Sequence, residues 1–177
     1  MRKEIKSFME HMNAGLAEGS SLPMLPTYLG IQEVSAYEKP ILVIDAGGTN
    51  LRVARVQFAA DRFQVLESTK GRMPGTGGAI TAESLITQLV DAIEPVLDGI
   101  ELCGFCFSYP ADIMENRDGK IIAFSKDVEV TGSEGLVLGE SMNAELIRRG
   151  RQPLQFCVLN DTVATYFGGC SALAPEA

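Results

Sequence analysis

The chain has 177 residues, enough for one domain with a real core and too few for two large ones. Hydrophobic residues make up 46% and charged residues 21%, the balance of a folded chain and not of a disordered one. Fifteen basic against 23 acidic residues give a net charge of −8, which argues against nucleic acid or an anionic membrane as main partner, since both demand a basic surface. No apolar run approaches the ~18–20 residues of a membrane span.

In chain order, residues 2–17 place Ile5, Phe8, Met9, Met12 and Leu16 at helical spacing and predict an amphipathic helix. The chain opens Met1-Arg2-Lys3 and continues into charged sequence, so no secretory leader is expected. His11, the only histidine, falls off the apolar stripe, which removes most histidine-based metal or nucleophile schemes. Residues 18–39, with Gly19, Pro23, Pro26 and Gly30, read as an extended surface connection, in which Met24 to Leu29 is apolar enough to pack down.

Three strands are predicted next, at 41–45, 51–58 and 62–68, the last after an Ala60-Asp61 turn. Residues 71–78 form a glycine-rich loop leading to a helix at 82–97 with Leu85, Ile86, Leu89, Val90 and Ile93 on one face and Pro95 near its end. This loop is not read as a nucleotide loop, because no buried strand delivers it and no Lys-Ser/Thr follows its glycines. A buried strand at 101–108 and a small hairpin within 109–125, turned at Asp118-Gly119, come next. A helix at 136–149, a strand at 154–159 and a helix starting near Val163 complete the order.

Cysteines stand at 103, 106, 157 and 170. Cys103 and Cys106 lie three apart on a predicted strand and point to opposite faces, so neither a shared metal nor a disulfide suits them. Buried reduced thiols fit a cytoplasmic chain.

The order of elements gives an antiparallel meander followed by crossovers, hence an α/β fold with a mixed sheet flanked by helices. This resembles the ribonuclease-H-like half of the actin-type ATPase architecture.

The chemistry gathers at strand ends. Ile41 to Ile44 lead to Asp45, then Ala46-Gly47-Gly48-Thr49-Asn50. A glycine pair admits unusual backbone angles and lets main-chain N–H groups approach an anion, while Asp45 can hold magnesium through water. The competing reading is a tight hairpin turn with no ligand. Asp161 follows the last strand, so both carboxylates are expected at the carboxyl ends of central strands, where ligands of open α/β sheets collect. Ser108-Tyr109-Pro110 leaves a third strand at that edge, and Ser125-Lys126 closes the hairpin nearby. Taken singly, Asp161-Thr162 is also a reasonable helix cap and Lys126-Asp127 a reasonable surface pair. Together these groups suit a polyol beside a phosphate.

Read as a set, Met24-Leu25-Pro26-Thr27-Tyr28, Asp45 to Val53, Gly104 to Pro110, Phe124-Ser125-Lys126, Glu134-Gly135 and Leu159 to Thr165 resemble the N-terminal lobe of the eukaryotic-type hexokinase family, glucokinases included. Order and rough spacing agree from about residue 5 to residue 169. The resemblance implies ATP-dependent phosphorylation of a hexose at its 6-hydroxyl, with Mg2+. Asp45, Gly47, Gly48, Thr49, Asn50 and Arg52 would meet the phosphates and the magnesium ion. Ser108, Pro110, Ser125 and Asn160 would line the sugar, Lys126 would stand near the transferred phosphoryl group, and Asp161 would accept the hydroxyl proton. Ser125 and Phe124 stand where the family has Thr and Trp, the second change loosening the packing beside the sugar.

The resemblance divides the chain into residues 1–39, a helix and connection, and 40–171, the small lobe. The family's large lobe, with its second phosphate loop, adenosine site and two sugar-binding glutamates, does not follow within these residues. The 177 residues alone are therefore expected to be inactive, and a lobe without its partner would expose an apolar face prone to self-association. The alternatives are a non-catalytic sugar-binding or regulatory domain, or another kinase of the actin-type group acting on glycerol or acetate.

Overall fold

The structure, a computed structural model, describes residues 2–17, 21–22, 24–29, 39–59, 62–125 and 127–173. Helix α1 is Arg2–Ala14. Three strands follow, β1 Ile41–Ala46, β2 Asn50–Ala59 and β3 Arg62–Arg72. The short strand β4, Ile80–Thr81, leads into α2, Ala82–Ile93. Then come β5 Leu102–Phe107, β6 Ala111–Ile113, β7 Gly119–Ile121 and β8 Val130–Thr131. Helix α3 is Leu138–Arg148, β9 is Gln155–Leu159 and α4 is Asp161–Leu173.

The five long strands form one sheet in the order β3-β2-β1-β5-β9. The first three run antiparallel, while β1, β5 and β9 are parallel, which is the mixed five-stranded sheet expected. Alternation sorts its two faces. Leu42, Ile44 and Ala46 of β1, Cys103, Phe105 and Phe107 of β5, and Phe156 and Val158 of β9 are buried. Against them lie Leu85, Ile86, Leu89, Val90 and Ile93 of α2 and Leu138, Met142 and Leu146 of α3. The opposite row of Val43, Asp45, Gly104, Cys106, Cys157 and Leu159 is only half-buried.

Several local expectations change. Strand β3 runs on to Arg72, so the glycine-rich loop begins at Met73. Its Gly75 sits at φ +83, and a Cβ there would strike the Glu129 carbonyl oxygen at 2.9 Å. The loop is thus held against residues 128–131. Helix α2 stops at Ile93 and tightens into a 3₁₀ turn over 94–96, because Pro95 has no N–H to continue the α-helical ladder. The small hairpin pairs β6 with β7 across residues 114–118, not at Asp118-Gly119; Arg117 takes the left-handed conformation at φ +67, and Gly119 belongs to β7.

Asp118 has a different task. It is 7% exposed, and its carboxylate accepts N–H bonds from Gly119 (2.7 Å), Gly139 (2.7 Å) and Glu140 (2.9 Å). Helix α3 has no side-chain cap of its own at Val137. Asp118 therefore caps it from the hairpin, satisfying donors that a helix start leaves unpaired. Gly139 permits the approach, since a Cβ there would meet Asp118 Oδ2 at 2.7 Å.

The predicted stripe of α1 does not pack: Ile5, Phe8 and Met9 are 53%, 58% and 57% exposed. The segment 24–29 packs down only in part, with Thr27 and Leu29 half-buried and Met24, Leu25 and Tyr28 exposed. The Ala60-Asp61 turn, most of the 18–38 connection and Lys126 lie outside the described residues.

Candidate functional site

The glycine loop joins β1 to β2. Asp45 stands opposite Arg52 across this hairpin, and Arg52 Nη1 donates to Asp45 Oδ2 at 2.7 Å. One carboxylate oxygen is thereby committed to the guanidinium. The loop is closed by Gly47 N–H to the Asn50 carbonyl at 2.9 Å, and Met73 N–H donates to the Thr49 carbonyl at 3.0 Å, fastening the loop to the end of β3. Gly47 does not use the left-handed region, and a Cβ there would meet only the Asn50 carbonyl oxygen, at 3.4 Å. The unusual backbone angles that a glycine pair admits are not used at Gly47. Its missing side chain leaves the loop backbone approachable, which the hairpin alone does not need.

Strand β5 supplies the second piece. Ser108 N–H donates to the Ala46 carbonyl at 3.1 Å, carrying the β1–β5 pairing one step past the strand. Tyr109 is buried, and its hydroxyl donates to the Gly47 carbonyl at 2.8 Å. Burial pushes that hydroxyl up to about 12, so it stays a proton donor at neutral pH. Phe107, Tyr109 and Phe124 stack as one aromatic group, with Tyr109 and Phe124 centroids 4.8 Å apart. Phe124 thus anchors the chain just ahead of Ser125, which is exposed.

Strand β9 supplies the third piece. It is the sheet's edge strand, so the expectation of Asp161 following a central strand is corrected. Asn160, not Asp161, caps α4. Its Oδ1 accepts from Thr162 N–H at 3.0 Å and from the Thr162 hydroxyl at 2.6 Å, while its carbonyl accepts from Ala164 N–H. Asp161 is left exposed in the first helical turn, its Oδ1 3.3 Å from the Thr162 hydroxyl. Ser108, Tyr109, Pro110 and Asn160 border a groove of about 770 Å3 between residues 24–29 and α4.

One side chain joins the first and third pieces. Cys106 pairs in register with Asp45 on one side and with Leu159 on the other. Its thiol is pushed up to about 11, first by burial and then by the negative charges of Asp45 and Asp161. Asp45 is thus the register partner of Cys106 on one side, and Asp161 follows two residues after its partner Leu159 on the other. Sequence reasoning quoted Cys106 within a motif without giving it a place in the site. Strand alternation would have found it, since the residue opposite Asp45 must share its face.

A sequence model of the hexokinase family matches residues 1–171. The chain belongs to the hexokinase family. Among its relatives, hexokinase-1 of Schizosaccharomyces pombe is 29% identical over 168 residues, covering 89% of this chain and 34% of that protein. Hexokinase HKDC1 of Homo sapiens is 32% identical over 179 residues, covering 93% of this chain and 18% of that protein. The hexokinase of Brugia malayi is 28% identical, covering 93% and 31%. The chain spans about a third of the length of the first curated hexokinases it matches. Two solved hexokinases share the fold. One, from Schistosoma mansoni and complexed with glucose, has a TM-score of 0.73 at 24% identity, covering 97% of this chain and 41% of the other. The second reaches 0.79 at 19% identity, covering 99% and 45%.

Proposed function

We propose that this chain is the N-terminal lobe of an ATP-dependent kinase that phosphorylates a hexose, glucose first among them, at the 6-hydroxyl. The observation that carries the reading is that the glycine loop, the Ser108 loop and Asp161 follow the adjacent parallel strands β1, β5 and β9 at one end of the sheet. Membership of the hexokinase family supports it.

In this reading the backbone of Gly47, Gly48, Thr49 and Asn50 cradles the donor's phosphates, with Arg52 beside them. Asp45 shares its carboxylate with Arg52, and among the described residues no three acidic, histidine or cysteine groups gather as a metal cage. That donor set suits Mg2+ held chiefly by phosphate oxygens and water, with Asp45 reaching it through water, where the ion would neutralise phosphate charge. Ser108, Pro110 and Ser125 line the sugar, and Asn160 contributes its amide nitrogen, its oxygen being used in the helix cap. Lys126 would stand at the transferred phosphoryl group. Asp161 accepts the 6-hydroxyl proton as that oxygen bonds to the terminal phosphorus, and the bond from phosphorus to the bridging oxygen breaks to release ADP.

Residues 40–171 constitute the lobe, preceded by the 1–39 helix and connection. The opposite wall of the cleft comes from a large lobe outside this span, and the exposed apolar stripe of α1 supports a covering partner. Unbridged Cys103, Cys106 and Cys157 support a cytoplasmic setting. The test is acceptor-dependent ADP release by the product of the gene that carries these residues, run with glucose, other hexoses, glycerol and acetate. Release with a hexose is expected; release only with glycerol or acetate, or none, overturns the reading.

A further inference from the structure

The open face of the β2–β3 ribbon carries a charge pattern that the hexose-kinase reading does not use. Register places Arg72 opposite Asn50 and Lys70 opposite Arg52, so the side chains of Asn50, Arg52, Lys70 and Arg72 share the face of Asp45. All four stand at the end of the ribbon that bears the glycine loop, and the loop is hydrogen-bonded there to Met73, the residue after Arg72. Arg52 is occupied by Asp45. Lys70 and Arg72 are exposed, and among the described residues neither has an ion pair or side-chain hydrogen bond. The nearby acid of β3, Glu67, lies opposite Arg55, on the other face of the ribbon. Three cations and one carboxylate thus border the loop in a chain whose net charge is −8.

Unlike Arg148, Arg149 and Arg151, which are each matched to carboxylates, Lys70 and Arg72 stand in register beside Arg52 and Asn50 at the glycine-loop end of the ribbon. We propose that Lys70 and Arg72 form, with Arg52, a cationic rail that binds the phosphoanhydride chain of the phosphoryl donor as it leaves the glycine loop. The rail touches the chain and not the base, so it serves a nucleoside triphosphate and a linear inorganic polyphosphate alike. This rests on the reading of the Gly47–Asn50 loop as a phosphate site. Neither residue takes part in proton transfer or sugar binding, so their removal acts on donor affinity.

The experiment measures binding of Mg-ATP, Mg-tripolyphosphate and orthophosphate to the product of the gene that carries these residues, by calorimetry at several salt concentrations. It compares wild type with Lys70→Gln, Arg72→Gln, the double variant and Lys70→Glu. Two exposed cation–phosphate contacts of ordinary size predict that the double variant weakens ATP and tripolyphosphate alike by about tenfold. Its salt dependence should flatten, orthophosphate binding should change little, and Lys70→Glu should exceed Lys70→Gln. Far-UV circular dichroism identical to wild type excludes misfolding at these exposed positions. Wild-type binding of both triphosphates with no loss in the double variant overturns the rail and leaves the phosphate-loop reading standing. A loss for ATP alone overturns the claim that the chain, not the base, is read. Failure of the wild type to bind either triphosphate overturns the loop reading, and the rail with it.

Discussion

Cys106 makes the geometry of the site measurable one residue at a time. Its thiol is held near 11 by burial and by two carboxylates, so replacing either carboxylate with a neutral amide removes a repulsion against the thiolate. The thiol pKa should therefore fall toward its ordinary value of 9.0 in Asp45→Asn and, separately, in Asp161→Asn. The pH profile of alkylation at Cys106, resolved by peptide mass spectrometry, checks this. A fall in one variant only would mean that the two carboxylates do not flank the same point. Arg52 sharpens the expectation, because it already offsets part of the Asp45 charge at 2.7 Å. The same register pairing was open to sequence reasoning, since a hairpin closing over Gly47–Asn50 sets 45 against 52. What could not be foreseen was that Asn160 takes the cap of α4 and leaves Asp161 exposed, because Asn, Asp and Thr are all competent caps.

At the scale of elements, the capping of α3 by Asp118 ties the β6–β7 hairpin, and with it the path to Phe124 and Ser125, to the helical layer. Asp118→Ala leaves the buried N–H of Gly139 and the part-buried N–H of Glu140 without their acceptor and should cost about 1–3 kcal/mol of stability, read from the urea midpoint. Asp118→Asn, which keeps one acceptor oxygen, should lose less; equal losses would contradict the capping role. Helix α3 is held at its other end by Arg149, which bridges Glu145 to Asp91 and Glu94 near α2. Arg148, then Arg149, hold the Glu145 carboxyl down at about 2, against an ordinary 4.5. The fold thus favours the charged form, so its contribution is complete above pH 4.5 and is lost as pH falls toward about 2. Glu145→Gln should accordingly lose less stability than wild type across that window in acid titrations of the urea midpoint, and an unchanged profile would contradict the assignment.

The elements most legible in the sequence were those with long apolar periods: the β1–β2–β3 meander, β5, β9, α2 and α3. The two-residue strands β4 and β8 gave no signal, because they pair with each other from 50 residues apart and carry no repeat. The Asp118-Gly119 pair misled because its sequence suits a tight turn, whereas its carboxylate is drawn to helix amides that lie 21 and 22 residues further along.

For the whole molecule, the sheet holds its glycine loop, Ser108 loop and Asp161 on one edge by parallel pairing of β1, β5 and β9, while α2 and α3 close the other face into a core. The apolar stripe of α1 stays outside that core. The proposed function makes this lobe one wall of a cleft; the chain spans about a third of the length of the first curated hexokinases it matches. The central claim is that Asp161 accepts the proton of the hexose hydroxyl across from the Asp45 loop. The direct measurement is glucose-dependent ADP release by the product of the gene that carries these residues, wild type against Asp161→Asn. General-base assistance of ordinary size predicts a fall in kcat of ~10²–10⁴-fold with glucose binding retained. A variant that keeps wild-type kcat would contradict the account.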